Sequence, residues 1–147
     1  MRIFLSLVFL FSTNLFAADQ QPLKLTPQQG VIANVYISGS TLQININGII
    51  KKNQIFELDL PPTMHLTTRK ISEVKNPYIE VWHIDEGMGT YTIHHLFFYQ
   101  KNEQRFAERK PICGEQFINL RPQDAQEALT YSAFDATSNT WRMCKEQ

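Results

Sequence analysis

The sequence predicts an all-β protein, a series of antiparallel hairpins forming a sandwich or a small propeller-like arrangement closed by one disulfide. Three observations predict it. Apolar and polar residues alternate with a period of two along much of the chain, and β-prone runs are separated by short clusters of Gly, Asn, Asp and Ser. Two cysteines, Cys113 and Cys144, stand in a chain whose amino-terminal residues have the pattern of an export leader.

The leader comes first. Arg2 precedes a stretch from Ile3 to Asn14 that is apolar apart from Ser6 and its last three residues, and the stretch ends in the small residues Ala17 and Ala18 before the polar Asp19-Gln20-Gln21-Pro22. That order of charge, apolar run and small residues is the layout of a signal peptide over residues 1–17, too short to span a bilayer of about 30 Å. Cleavage is expected after Ala17 or Ala18. No cysteine follows the junction, so a lipid-modified terminus is not indicated, and the expectation is a protein exported to the periplasm. The remaining roughly 130 residues make one domain of ordinary core size. Basic and acidic residues balance to a formal net charge of zero, which gives no electrostatic case for nucleic acid or an anionic membrane as partner. No second stretch approaches the roughly 18 apolar residues of a membrane helix.

Residues 18 to 30, rich in Gln and carrying Pro22 and Pro27, read as a solvated lead-in, with the β domain spanning residues 31–147. Ala33, Val35 and Ile37 alternate with Asn34, Tyr36 and Ser38; after Gly39-Ser40, Leu42, Ile44 and Ile46 alternate with Gln43, Asn45 and Asn47. A two-residue type II′ turn at Gly39-Ser40 sets Ile37 against Leu42, Val35 against Ile44 and Ala33 against Ile46. Both faces then agree in polarity, which a slipped register would not give. A third strand is expected from Gln54 to Leu60, stopped by Pro61-Pro62. Residues 63 to 76 read equally as a strand or an irregular crossing.

Two strongly β-prone runs follow, Tyr78–Asp85 and Thr90–Tyr99, joined by Glu86-Gly87-Met88-Gly89. Pairing Asp85 with Thr90 places Tyr78, Glu80, Trp82 and Ile84 on one face with Tyr91, Ile93, His95 and Phe97. Both faces carry apolar bulk, which puts this hairpin at the centre of the molecule. The chain turns near Lys101-Asn102-Glu103 toward Arg105-Phe106-Ala107, and another strand is expected from Ile112 to Leu120. Residues 122 to 128 could open a short helix with Pro at its first position. A last hairpin runs through Leu129–Phe134 and Thr140–Cys144, with Asp135 to Asn139 as its turn. Beyond the leader, every aromatic residue except Tyr36 and Phe56 lies between Tyr78 and Trp141, so the second half is expected to supply most of the core.

The even cysteine count in an oxidising compartment favours an intrachain Cys113–Cys144 bridge. A zinc site would need paired cysteine spacing, and a nucleophilic cysteine a local pattern that lowers its pKa; neither is present. There is no Gly-x-Ser-x-Gly elbow, His-Glu-x-x-His motif, phosphate loop or Cys-x-x-Cys, so an enzyme is not expected, nor any cofactor. His83 and His94 become diagonal neighbours in the register above, and His95 lies opposite Glu80. Two histidines without a third ligand are read as sheet residues bonded within the sheet rather than as a metal site. Asp85, Glu86, Gly87, Met88 and Gly89 form the candidate partner-binding loop, since loops on rigid hairpins commonly carry binding function.

The order Tyr-Ile-Glu-Val-Trp-His-Ile-Asp, the acidic glycine loop, the aromatic strand Leu96-Phe-Phe-Tyr99, the polar turn at Lys101-Asn102 and a distal hairpin carrying Trp141 resembles the small periplasmic β proteins that inhibit lysozyme-like hydrolases, some of them immunity proteins against secreted toxins. The resemblance covers roughly Pro77 to Cys144. It implies a protein partner, a peptidoglycan-degrading enzyme, blocked by insertion of the 85–89 loop into its cleft. Members often carry an Asp-rich calcium loop at that place; most of those acids are missing here, so no calcium is carried over. The alternative expectation is a structural or assembly accessory of the bacterial envelope that binds a protein through a strand edge.

Overall fold

The computed structural model describes residues 22–58, 65–69, 77–85, 90–121 and 129–146. The leader at 1–17, residues 63, 64 and 70–76 of the ambiguous segment, and the segment 122–128 lie outside them. Eleven strands, all paired antiparallel, make up two sheets, with no helix among the described residues. The first sheet is a meander of β1 (Leu23–Gln28), β2 (Val31–Ser38), β3 (Thr41–Asn47) and β4 (Lys52–Glu57). The second holds β5 (His65–Arg69), β6 (Tyr78–Asp85), β7 (Tyr91–Gln100), β8 (Arg105–Arg109), β9 (Phe117–Arg121), β10 (Leu129–Asp135) and β11 (Thr140–Glu146). Its order is β11-β10-β9-β7-β6-β5, with β8 also on β7.

The first hairpin has the register its alternation requires: Ile37 pairs with Leu42, Val35 with Ile44 and Ala33 with Ile46. Gly39, at φ 59°, is the turn residue in the left-handed region, as the first central position of a type II′ turn demands. One face is buried and the other wet. The lead-in reading is corrected. Leu23–Gln28 is a strand paired with β2, burying Leu25 and Pro27 while Lys24 and Thr26 stay outside. Prolines and glutamines hid this short alternation, and Pro27 fits because it lies at the register irregularity of an edge strand, where a missing N–H is tolerated. The third strand starts two residues earlier than expected; Leu58, just beyond it, is buried and donates its N–H to Ser40 O at 2.8 Å.

The central hairpin is where expected, but its register differs by one residue. Asp85 pairs with Tyr91, Trp82 with His94 and Glu80 with Leu96. A slip of one exchanges the faces: Ile79, Val81 and Phe97 now point together into the first core with Leu25, Val35, Leu42 and Ile44 of the other sheet. Tyr78, Leu96 and Phe98 point the other way, into a second core with Phe117, Leu120, Leu129, Tyr131 and Ala133. The pairing that wins fills both cores, and β6 and β7 form the middle layer between them. Long β7 makes this possible by changing partner: Leu96–Gln100 pairs with β8, whereas Ile93 and His94 pair with β9.

The strand expected from Ile112 begins only at Phe117, after a bent segment over residues 112–116. Gly114 sits there at φ 77°, where a Cβ would stand 3.0 Å from that of Ala133. Cys113 and Cys144 are disulfide-bonded across 31 positions of sequence, a constraint that contributes about 3–4 kcal/mol in the chain-entropy account. The final hairpin pairs Asp135 with Thr140, and Asp135 Oδ1 accepts the N–H of Thr137 at 3.0 Å to hold the turn.

Candidate functional site

The β6–β7 hairpin delivers Asp85 to the molecular surface, where it is exposed and closes the ladder opposite Tyr91. Glu86, Gly87, Met88 and Gly89, the rest of the candidate loop, lie outside the described residues. What the structure adds is the surface at the loop's base. Inward positions of the β10–β11 hairpin go to Tyr131, Ala133 and Cys144, which leaves Phe134, Trp141 and Met143 on its outward face. The Trp141 ring lies 5.3 Å from Phe134 in an edge arrangement and 5.2 Å from Tyr91. Trp141 nevertheless remains 46 % exposed. An exposed aromatic cluster therefore borders the loop root, and sequence reasoning missed it. The signal available was Phe134 and Trp141 on either side of the Asp135–Asn139 turn, but only their pairing across the hairpin and the arrival of β7 bring Tyr91 to them.

Behind this end lies a polar series on the middle layer. Glu80, with no exposed surface, accepts from Thr67 Oγ1 at 3.2 Å and lies 2.6 Å from His94 Nδ1. His94 Nε2 is 2.9 Å from Thr92 Oγ1, and Asn119 Oδ1 accepts from the Thr92 N–H at 3.1 Å. Trp82 stacks on His65 at 4.1 Å and, more loosely, on His94 at 6.3 Å. The expected arrangement of histidines is thereby corrected. His83 and His94 occupy opposite faces of the sheet, because His83 pairs with Ile93 and His94 with Trp82. Glu80 bonds His94 instead of lying opposite His95, whose Nδ1 is 2.9 Å from Glu108 Oε1.

A carboxylate, an imidazole and a hydroxyl in this order could activate the hydroxyl as a nucleophile. Here both ring nitrogens and both carboxylate oxygens are engaged within the series, and the Thr92 hydroxyl also lies 3.3 Å from Asn119 Oδ1. The arrangement pins four strands together, β5, β6, β7 and β9. Removing one member of the buried Glu80–His94 pair would leave the other uncompensated, at a cost of about 3–5 kcal/mol.

Where β7 changes partner, a cavity of about 220 Å³ opens between His94, His95, Glu108, Lys110, Glu115 and Phe117. Burial raises the Glu108 pKa, but hydrogen bonds from Lys110 and His95 outweigh it, and the net direction is down. On the far side, Glu146 accepts from the Tyr131 hydroxyl at 2.6 Å and the Ile112 N–H at 2.7 Å, and faces Arg109 at 2.9 Å. Burial, then the Glu146 contact, pushes the Tyr131 hydroxyl pKa up. Glu146 and the disulfide thus fix β11 to the segment before β9. Among the described residues, no group of three or more His, Cys, Asp or Glu could hold a metal ion, and no helix is long and apolar enough to cross a membrane.

No family model, no curated protein and no solved structure matches this chain.

Proposed function

We propose that this chain is an exported binding protein of the bacterial periplasm that blocks a peptidoglycan-degrading enzyme, as an inhibitor or immunity protein, with the loop at residues 85–89 entering the hydrolase cleft. The observation that supports this reading is the cluster of exposed Phe134 and Trp141 with half-buried Tyr91 beside the loop root. Aromatic side chains are the residue type that dominates binding energy at protein interfaces. The strands that carry the loop, β6 and β7, bury most of their residues, and Asp85 pairs with Tyr91 at the last position of their ladder, so the chain on either side of the loop is fixed by pairing. Occlusion needs only a projecting loop with anchors at its base; the chain's own groups perform no bond chemistry in it. The disulfide is in keeping with an oxidising compartment.

The test is protection of purified peptidoglycan from a panel of lysozyme-like hydrolases, including any exported toxin encoded beside this protein. Wild type should protect against at least one. Glu86→Ala with Met88→Ala, and separately Trp141→Ala, should each reduce affinity for that enzyme by at least tenfold while the melting temperature changes little. Protection against none of the panel would sink the inhibitor reading.

A further inference from the structure

The two sheets leave several strand edges, and most are closed from within. At one side of the sandwich β1 lies against β5, and at the other β4 lies against β8, where the Gln54 side-chain amide hydrogen-bonds both the N–H and the C=O of Phe106. β11 is different. It ends the seven-stranded order beyond β10, and from Thr140 to Met143 four consecutive residues are exposed, so that among the described residues nothing pairs with its outer edge or covers this half of the strand. An open, regular edge is a template for another strand unless something blunts it. The other half is clamped: Cys144 is bonded to Cys113, and Glu146 is held by Ile112, Tyr131 and Arg109. The edge is therefore rigid before anything binds, which lowers the ordering cost of strand addition.

We propose that the β11 edge is the site of a twofold contact with a second copy of this chain, the two β11 strands pairing antiparallel about Met143 and joining the two seven-stranded sheets into one. The residue chemistry selects this occupant and this register. In an isologous contact residue i meets residue j and j meets i, so a twofold at Met143 sets Met143 against itself, Trp141 against Lys145 and Arg142 against Cys144. Trp141, Met143 and Lys145 share the outward face. The apolar Met143 side chains, 54 % exposed in the single copy, cover one another. The Lys145 ammonium of each copy reaches the Trp141 ring of the other, a cation–π pair made twice. A twofold one residue earlier would stack Arg142 on Arg142, with like charges directly opposed, which destabilises a ladder. The contact also joins the two aromatic clusters into one face, since Phe134 and Trp141 flank the edge in each copy. It requires neither the hydrolase nor the 85–89 loop, so it stands or falls separately from the inhibitory role.

The experiment is sedimentation equilibrium of the oxidised mature chain, with symmetric cross-linking as its second arm. Wild type should show a monomer–dimer equilibrium. Met143→Lys, which places two like charges across the twofold at an exposed position, should weaken dimerisation at least tenfold with an unchanged far-ultraviolet spectrum. Met143→Cys should form a disulfide between copies under mild oxidation, because only the residue on the axis meets itself; Ile55→Cys, exposed on β4, should not. A wild type that stays monomeric to several hundred micromolar overturns the proposal. So does cross-linking at Ile55 as fast as at Met143, or an edge that is filled only by a strand of a different protein.

Discussion

The side-chain amide of Gln54 substitutes for a strand partner at Phe106: its Oε1 accepts the Phe106 N–H at 2.7 Å and its Nε2 donates to the Phe106 carbonyl at 3.0 Å. The two residues lie 52 positions apart and in different sheets. A primary amide presents an acceptor oxygen and an N–H donor side by side, so it can complete a ladder position where no strand fits, with a second N–H to spare. It closes the edge of β8 and ties the two layers together at the rim of the first core, into which Phe106 is fully buried.

Replacing Gln54 with Leu should therefore lower stability by about 1–3 kcal/mol, because two backbone groups lose their partners together. Gln54→Glu keeps the acceptor and loses the donor, and should fall between Leu and wild type near neutral pH. Urea denaturation of the three proteins checks the order. A Leu variant as stable as wild type would mean that solvent satisfies Phe106 equally well.

The β2–β3 register makes a sharp pair of expectations. Ile44 is fully buried opposite Val35, so Ile44→Asp places an unpaired charge in the first core and should cost more than about 4 kcal/mol, enough to prevent folding of a domain this size. Asn45, on the other face and donating to the Tyr36 hydroxyl at 3.2 Å, should tolerate Asp with a loss of about 1 kcal/mol or less. Circular dichroism of the two variants separates them.

Stability should also depend on His83. Burial, then the neighbouring His95 and His94, lower its pKa below the ordinary 6.5, while Asp85 works in the opposite direction. The unfolded chain then binds the proton more readily than the folded one, so this contribution is complete above about pH 6.5 and is lost as the pH falls toward the lower folded value. Between pH 7.5 and 5.5 the wild-type urea midpoint should drop further than that of His83→Gln. Equal drops would show that His83 titrates alike in both states.

What the sequence determined by itself is everything written in short-range alternation. Val31–Ser38 and Thr41–Asn47 could be paired residue by residue because one face is wet and one dry, and Gly39 marks where the chain reverses. The last hairpin was legible from its two β-prone runs and the turn cluster at Asp135–Asn139, and the Cys113–Cys144 bridge from two cysteines with no competing partner. The alternation fails where both faces are buried. In Tyr78–Asp85 and Tyr91–Gln100 apolar residues occupy both sides, so two registers one residue apart look alike from the sequence, and the packing of Phe97 with the first sheet and of Leu96 with Phe117 decides between them. That choice moved Glu80 from His95 to His94 and separated His83 from His94. The strand at Leu23–Gln28 is a local hairpin with β2 whose alternation is masked by its prolines and glutamines. The cluster of Tyr91, Phe134 and Trp141 was decided by tertiary structure, because Tyr91 lies 50 positions from Trp141 and pairing across such separations is set by how whole sheets fill a core, which no local pattern encodes.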